Sequence, residues 1–259
     1  MGKNKLRKFK ELEDNPLVLQ YPFGRLKEVG FPLRGKWGAD FFGNDKPIVL
    51  ELGCGKGEYT VGLGRRYPDR NFIGIDIKGA RLWSGATAAM REGMTNVAFL
   101  RTSIELLSQF FAPGEVSEIW ITFPDPQMKK VNKRLTGTRM LGIYRGIMVP
   151  DGVVRLKSDS PFFYEYTRLM AAHNGLSVEA ASSDIYKEYQ PGDALVDIRT
   201  HYEQQWLDRG LTIKYLAFRL DGPTQLSEPP EAENIEQDTY RSYSRGYIQM
   251  PGELNDKNQ

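Results

Sequence analysis

The chain has 259 residues, 40% of them hydrophobic, enough to bury one substantial core. Its formal net charge of +2 is too small to mark a nucleic-acid binder by itself. The single cysteine, Cys54, excludes an internal disulfide, and with only His173 and His201 beside it no residue set has zinc-site spacing, so a cytosolic, metal-free protein is expected.

In chain order, residues 1–30 come first. Lys3, Lys5, Arg7, Lys8 and Lys10 make the first ten residues basic without an acid, and Pro16 and Pro22 interrupt any long helix. A basic arm is expected there, loosely packed or waiting for a partner. The sequence opens without the apolar stretch of a signal peptide. No apolar run approaches the roughly 18 residues of a membrane span, so a soluble, cytoplasmic protein without a membrane partner is expected.

Short apolar runs then recur at Ile48–Gly53, Asn71–Asp76, Asn96–Arg101, Ser117–Phe123 and Gly152–Asp159, separated by helix-length segments. That spacing predicts βαβ units and a parallel sheet. Ala80–Gly93 and Thr138–Gly152 read as helical, the second closing on the turn Pro150-Asp151-Gly152. Phe162–Gly175 reads as a helix, and Leu176–Ser182 and Thr212–Leu220 as strands of a hairpin added at the sheet edge. The fold class is therefore α/β, a doubly wound, mostly parallel sheet over residues 31–220. Beyond Leu220 the composition turns acidic and proline-rich, and residues 221–259 form a peripheral extension. Its island of Tyr240, Tyr243, Tyr247, Ile248 and Met250 is suited to docking on the domain or on a neighbour.

Chemistry concentrates at the strand ends. In GCGKG, Gly53, Gly55 and Gly57 recur at every second residue after a strand, unlike the G-x-G-x-x-G turn that receives a pyrophosphate. Asp76 ends the next strand at the offset where a carboxylate meets ribose hydroxyls. Glu51, just ahead of the turn, is placed to accept from a cofactor amine, and Ser103 with Glu105 follows the third strand, where an adenine edge would lie. Each alone reads equally as a capping or solvated polar residue; together, at successive strand ends, they describe a phosphate-free nucleoside with an ammonium group. S-adenosylmethionine is that cofactor. The run IWITFPDPQMKK, Ile119–Lys130, then ends a strand at the proline-flanked carboxylate Asp125. From Pro126 to Pro150 six cations, Lys129, Lys130, Lys133, Arg134, Arg139 and Arg145, occur without an acid.

From about Trp37 to Leu220 the sequence resembles the class I methyltransferases, and within them the bacterial tRNA (guanine-N7)-methyltransferase family. LELGCGKGEYT, IGIDIK, FPDPQMKKVNKRL, VRLKSD and RTHYEQQW carry the resemblance. Gln127 and Met128 stand where the family signature has Trp and Pro, and VNKRL replaces its His-Asn-Lys-Arg-Arg; Asp125 and Lys129 stay aligned. The resemblance implies a Rossmann-like sheet of seven strands with an antiparallel edge strand. It also implies methyl transfer to N7 of a variable-loop guanine in tRNA, by a monomer or homodimer. Asp125 becomes the catalytic candidate, adjoining the cofactor as well. Lys129, Asp159, Thr200 and Glu203 become substrate contacts, Lys129 on phosphate and the others on the guanine or its loop. Lys133 and Arg134 add sequence-independent phosphate attraction.

Guanine N7 has an exposed lone pair, so the reaction needs alignment and no general base. Rival activities fit the residues less well. An exocyclic-amine methyltransferase would place an aromatic ring after its Asp/Asn-Pro-Pro turn, which Asp125-Pro126-Gln127-Met128 lacks. A non-catalytic RNA-binding subunit has no use for Glu51, the glycines and Asp76. A nicotinamide dehydrogenase fits neither the glycine spacing nor the histidine content. A pyrimidine C5 methyltransferase needs a cysteine nucleophile, whereas Cys54 reads as a small turn residue.

Overall fold

The structure is a computed structural model that describes residues 2–240, with side chains from Arg7 onward. Its strands are β1 (Val18–Gln20), β2 (Ile48–Leu52), β3 (Asn71–Ile75), β4 (Val97–Arg101), β5 (Val116–Thr122), β6 (Met148–Ser158), β7 (Val178–Ser182) and β8 (Lys214–Arg219). Its helices are α1 (Gly2–Glu13), α2 (Phe23–Val29), α3 (Glu58–Arg66), α4 (Gly79–Arg91), α5 (Leu107–Phe110), α6 (Thr138–Arg145), α7 (Pro161–His173), α8 (Ile185–Glu188), α9 (Ala194–Asp197) and α10 (His201–Leu207).

The strands form one sheet in the order β1-β4-β3-β2-β5-β6-β8-β7. Pairing is parallel from β1 through β6 and antiparallel at β6–β8 and β8–β7. The doubly wound, mostly parallel sheet with an antiparallel edge is thus present, with eight strands where seven are expected. The extra strand is β1, which pairs with β4 from inside the segment expected to be a loose arm. That segment packs because its prolines fall between elements. Leu12 of α1 and Leu26 of α2 are buried, and the Trp83 indole of α4 donates to the Glu11 carboxylate of α1.

Each face of the sheet carries its own core, which is why β2 and β3 are buried along their whole length. Val49, Phe72, Phe99 and Trp120 pack with Leu12, Tyr59, Leu63, Leu82 and Ala86 on the α1, α3 and α4 side. Leu50, Ile73, Ile119 and Leu156 pack with Phe110, Leu141, Tyr144, Phe163 and Met170 on the α5, α6 and α7 side. The helix expected over 138–152 stops at Arg145, and β6 begins at Met148. Pro150-Asp151-Gly152 is an irregularity inside β6: Asp151 has φ 58° and the β5–β6 register shifts between Val116 and Glu118.

The acidic extension wraps α7. The Glu228 carboxylate accepts from the Thr138 amide (3.0 Å), the Thr138 hydroxyl (2.8 Å) and the Tyr166 hydroxyl (2.5 Å), and Asn174 exchanges hydrogen bonds with the Ser227 backbone. Of the apolar island, Tyr240 is described; Tyr243, Tyr247, Ile248 and Met250 lie outside the described residues. No helix among the described residues is long and apolar enough to cross a membrane.

Candidate active site

From β2 the chain builds outward through β3 and β4, then crosses back to β5 on the other flank of β2. A crevice opens beyond the carboxyl ends of two strands whose connections diverge, which is where open α/β sheets hold ligands. A cavity of about 370 Å³ sits there, lined among others by Gly53, Asp76, Ser103, Glu105, Lys133 and Asp125. Six of the residues singled out in the sequence therefore meet around one space.

The glycine turn between β2 and α3 follows from backbone demands. Gly53, Gly55 and Gly57 have φ of 72°, 55° and 70°, a region costly for any side chain. Gly53 and Cys54 donate their amides to the Ile75 carbonyl (2.8 and 3.0 Å), and Gly55 donates to Asp76 Oδ2 (3.0 Å). Asp76 Oδ1 accepts from the Lys78 amide (2.8 Å), so this carboxylate ties both loops of the cavity rim together. A Cβ on Gly57 would lie 2.6 Å from the Phe99 ring and 3.1 Å from Gly85 Cα, whereas one on Gly53 would meet nothing within 4 Å. Gly57 lets the turn pack on α4, and Gly53 keeps backbone bare at the cavity. Cys54 is buried, and burial raises its thiol pKa.

Glu51 is absent from the cavity lining, because strand pleating turns it to the α3 face with Val49. Its Oε2 accepts from the Thr60 amide (2.8 Å) and from the Thr60 hydroxyl, and its Oε1 accepts from the Thr122 hydroxyl (2.7 Å). Burial pushes its pKa up to about 7 despite these bonds. Glu51 braces the junction of β2, α3 and β5 and reaches the cavity through Thr122, which lines it.

Ser103 donates its hydroxyl to the Glu105 carboxylate, which holds that carboxyl below its ordinary value, with Arg139 and Lys133 adding attraction. Both line the cavity. The sequence reading missed Ile77, Lys78 and Arg81 on the same rim. Ile77 is 60% exposed, and a large apolar side chain directly after Asp76 is the signal that would have found it.

The loop after β5 carries Asp125. Phe123 and Gln127 adopt φ of 50° and 49°, a conformation that costs non-glycine residues roughly 1–3 kcal/mol each and gathers at functional loops. The Phe123 amide donates to the Lys157 carbonyl (2.8 Å), and the Gln127 amide donates to Asp125 Oδ1 (3.1 Å). Asp125 is exposed at the cavity mouth, and Gln127 lines the cavity beside it. Lys129 is exposed on the same loop and Lys133 is exposed at the cavity edge.

Arg134 departs from expectation. It is 4% exposed, its guanidinium lies 4.3 Å from the Tyr166 ring and 4.9 Å from Phe162, and it donates to the Met128 carbonyl (2.9 Å). A guanidinium so enclosed holds the loop; it is not available to phosphate. Thr200 and Glu203 likewise lie outside the cavity lining. They form a capping box at the start of α10, and Glu203 is fully buried against Lys157 (2.8 Å) with the Tyr186 hydroxyl on Oε1 (2.7 Å). Asp159, fully buried at the end of β6, accepts from the Tyr240 hydroxyl (2.6 Å). Among the described residues no group of three or more His, Cys, Asp or Glu side chains could hold a metal ion.

Comparison with known proteins places this geometry. A family model described as "Putative methyltransferase" matches residues 45–216. The chain is 60% identical over 236 residues to a protein of Porphyromonas gingivalis named tRNA (guanine-N(7)-)-methyltransferase, covering 90% of this chain and 96% of that one. It is 56% identical over 245 residues to the Bacteroides thetaiotaomicron protein of the same name, covering 95% and 96%. Among solved structures, the 16S rRNA methyltransferase KamB superposes with a TM-score of 0.53 at 13% identity, over 79% of this chain and 96% of that one, a likeness of fold.

Proposed function

The chain belongs to the tRNA (guanine-N(7)-)-methyltransferase family, and on that premise we propose that it transfers the methyl group of S-adenosylmethionine to N7 of a guanine in tRNA, the guanine of the variable loop. The observation that carries the reading of the site is the convergence of Gly53, Asp76, Ser103, Glu105 and Asp125 on one cavity at the switch point of the sheet.

The cofactor supplies an activated methyl group on a sulfonium. The residues present suit it: a bare glycine backbone at Gly53, a carboxylate at Asp76 for ribose hydroxyls, and the pair Ser103 and Glu105 for an adenine edge, in a cavity of ligand size. Glu51 acts indirectly, holding Thr60 and Thr122 so that the turn and the end of β5 keep their spacing.

Guanine N7 presents its own lone pair, so the protein has no proton to remove and its task is alignment. In this reading Asp125, at the mouth, accepts from the guanine N1 and N2 hydrogens and faces the positive charge that arrives on the purine. An interaction helps the rate only if it is stronger in the transition state than before it, and a carboxylate nearer the purine than the sulfur meets that condition. At about 4 Å and an effective dielectric near 20 the attraction is about 4 kcal/mol before desolvation, an upper scale. Lys129 and Lys133 meet tRNA phosphates, Arg134 holds the loop that carries them, and Thr200 and Glu203 fix the start of α10. The enzyme acts in the cytoplasm as a monomer or homodimer. We assign residues 31–220 as the catalytic domain.

The test is direct. Incubation of the pure protein with labelled methyl donor and bulk tRNA, followed by digestion, should give label in 7-methylguanosine. Label in N6-methyladenosine, or no transfer, would overturn the reading.

A further inference from the structure

The described part of the segment beyond the family match reaches the end of β6 through Tyr240. Lys157 is the register partner of Thr122, so Asp159, two residues further, lies beside the turn that carries Asp125. Asp159 is buried, and its Oδ2 accepts from the Tyr240 hydroxyl at 2.6 Å. The Tyr240 ring meets Trp206 of α10 edge to face, with centroids 5.5 Å apart. Two residues earlier, Asp238 accepts from the Ser160 hydroxyl (2.5 Å) and the Phe162 amide (3.1 Å) at the start of α7, and its own amide donates to Met128 Sδ (3.2 Å). Met128 stands where the family signature carries Pro. The segment therefore touches the Asp125 loop, the end of β6, the start of α7 and α10 within three residues of chain.

We propose that Tyr240 is a positioning residue for methyl transfer: its hydroxyl fixes the Asp159 carboxylate beside the Asp125 turn, with Asp238 anchoring the segment on Met128 and α7. The proposal rests on the reading of the site given above. A hydrogen bond to a buried carboxylate is among the stronger kinds, and removing its donor takes away one of the contacts that orient the acceptor. Loss of the hydroxyl acts on the reacting base through Asp159, so it lowers kcat. The phosphate interactions that dominate tRNA affinity, and the cofactor cavity, stay as they were.

The experiment is a double-variant cycle. Wild type, Tyr240→Phe, Asp159→Asn and the double variant are compared for kcat and KM on bulk tRNA and for S-adenosylhomocysteine affinity. Tyr240→Phe should lower kcat about tenfold, with KM and cofactor affinity unchanged. In the Asp159→Asn background the same change should add less than about twofold, since the two groups act as one unit. Full kcat or faster turnover in Tyr240→Phe, as for a lid that must leave, would overturn the proposal, and so would an equal loss in both backgrounds. Absence of 7-methylguanosine with the wild-type protein would fail the proposed function instead, so the two failures are distinct.

Discussion

Lys157 and Glu203 form an ion pair in which neither side chain is exposed, the ammonium lying 2.8 Å from Oε1 and 2.9 Å from Oε2. Burial alone drives the lysine toward its neutral form, and its pKa is lowered for that reason. The pair persists because its remaining valences are filled: Lys157 also donates to the Leu195 (2.7 Å) and Ile198 (3.2 Å) carbonyls, and Glu203 accepts from Tyr186 and the Thr200 amide. The main chain of the same lysine holds the strained Phe123. One residue of β6 thereby couples the Asp125 loop to the segment that bears α9 and α10.

Breaking that pair on one side should be costly. Lys157→Met leaves Glu203 buried without its cation, and we expect a loss of about 3–5 kcal/mol of stability by urea denaturation. Lys157→Met combined with Glu203→Leu should recover much of it, because both desolvation penalties vanish together. An undiminished midpoint in Lys157→Met would remove the pair from the account.

Glu51 gives a pH dependence whose sign follows from its raised pKa of about 7. The folded protein keeps a proton that the unfolded chain, near 4.5, has released. Stability contributed by this group is therefore greatest below about pH 4.5 and falls as pH rises to about 7, by about 3 kcal/mol. Glu51→Gln lacks that slope. Urea midpoints of the two proteins should thus diverge between pH 5 and pH 8 in favour of the glutamine form, and parallel curves would refute the assignment.

Gly57 admits no side chain. Gly57→Ala combines a φ of 70° with a Cβ 2.6 Å from the Phe99 ring, and we expect a loss of about 2–5 kcal/mol in denaturation, from strain and overpacking together. Gly53→Ala, where a Cβ meets nothing within 4 Å, should be less destabilising and should weaken S-adenosylhomocysteine binding more. The reverse order would misplace the cofactor.

Lys129 and Lys133 should act by charge. Replacing both with Ala should weaken tRNA binding most at low salt and make log K fall less steeply with log salt, the slope shrinking by about 0.7–0.9 for every phosphate no longer neutralised. Arg134→Ala should instead lower thermal stability, because its guanidinium is packed on Tyr166 and Phe162. Unchanged salt dependence in the double variant would take tRNA off this face.

Much of this was legible in the chain. β2 and β3 are buried along their whole length and β4 and β5 at all but one residue each, so they read as largely apolar runs, and the turn and strand-end residues Gly53, Asp76, Ser103, Glu105 and Asp125 lie where the topology brings strand ends together. What escaped reading depended on partners distant in sequence. Glu51 reads as lining the cavity until its bonds to Thr60 and Thr122 are known. Arg134 reads as a phosphate ligand because its enclosing rings are Phe162 and Tyr166, in another helix. Thr200-x-x-Glu203 is the pattern of a capping box, a signal present in the sequence and passed over for the family motif. β1 is three residues long, too short for a period, and the 221–240 segment docks through Glu228 and Asp238, which no apolar pattern announces.

The central claim is that Asp125 faces the guanine. It is tested most directly by measuring kcat for 7-methylguanosine formation and S-adenosylhomocysteine affinity in wild type and Asp125→Ala. We expect cofactor affinity within about twofold of wild type and kcat lower by about a hundredfold or more, the scale of removing a transition-state interaction of about 3 kcal/mol. Undiminished kcat in that variant would contradict it.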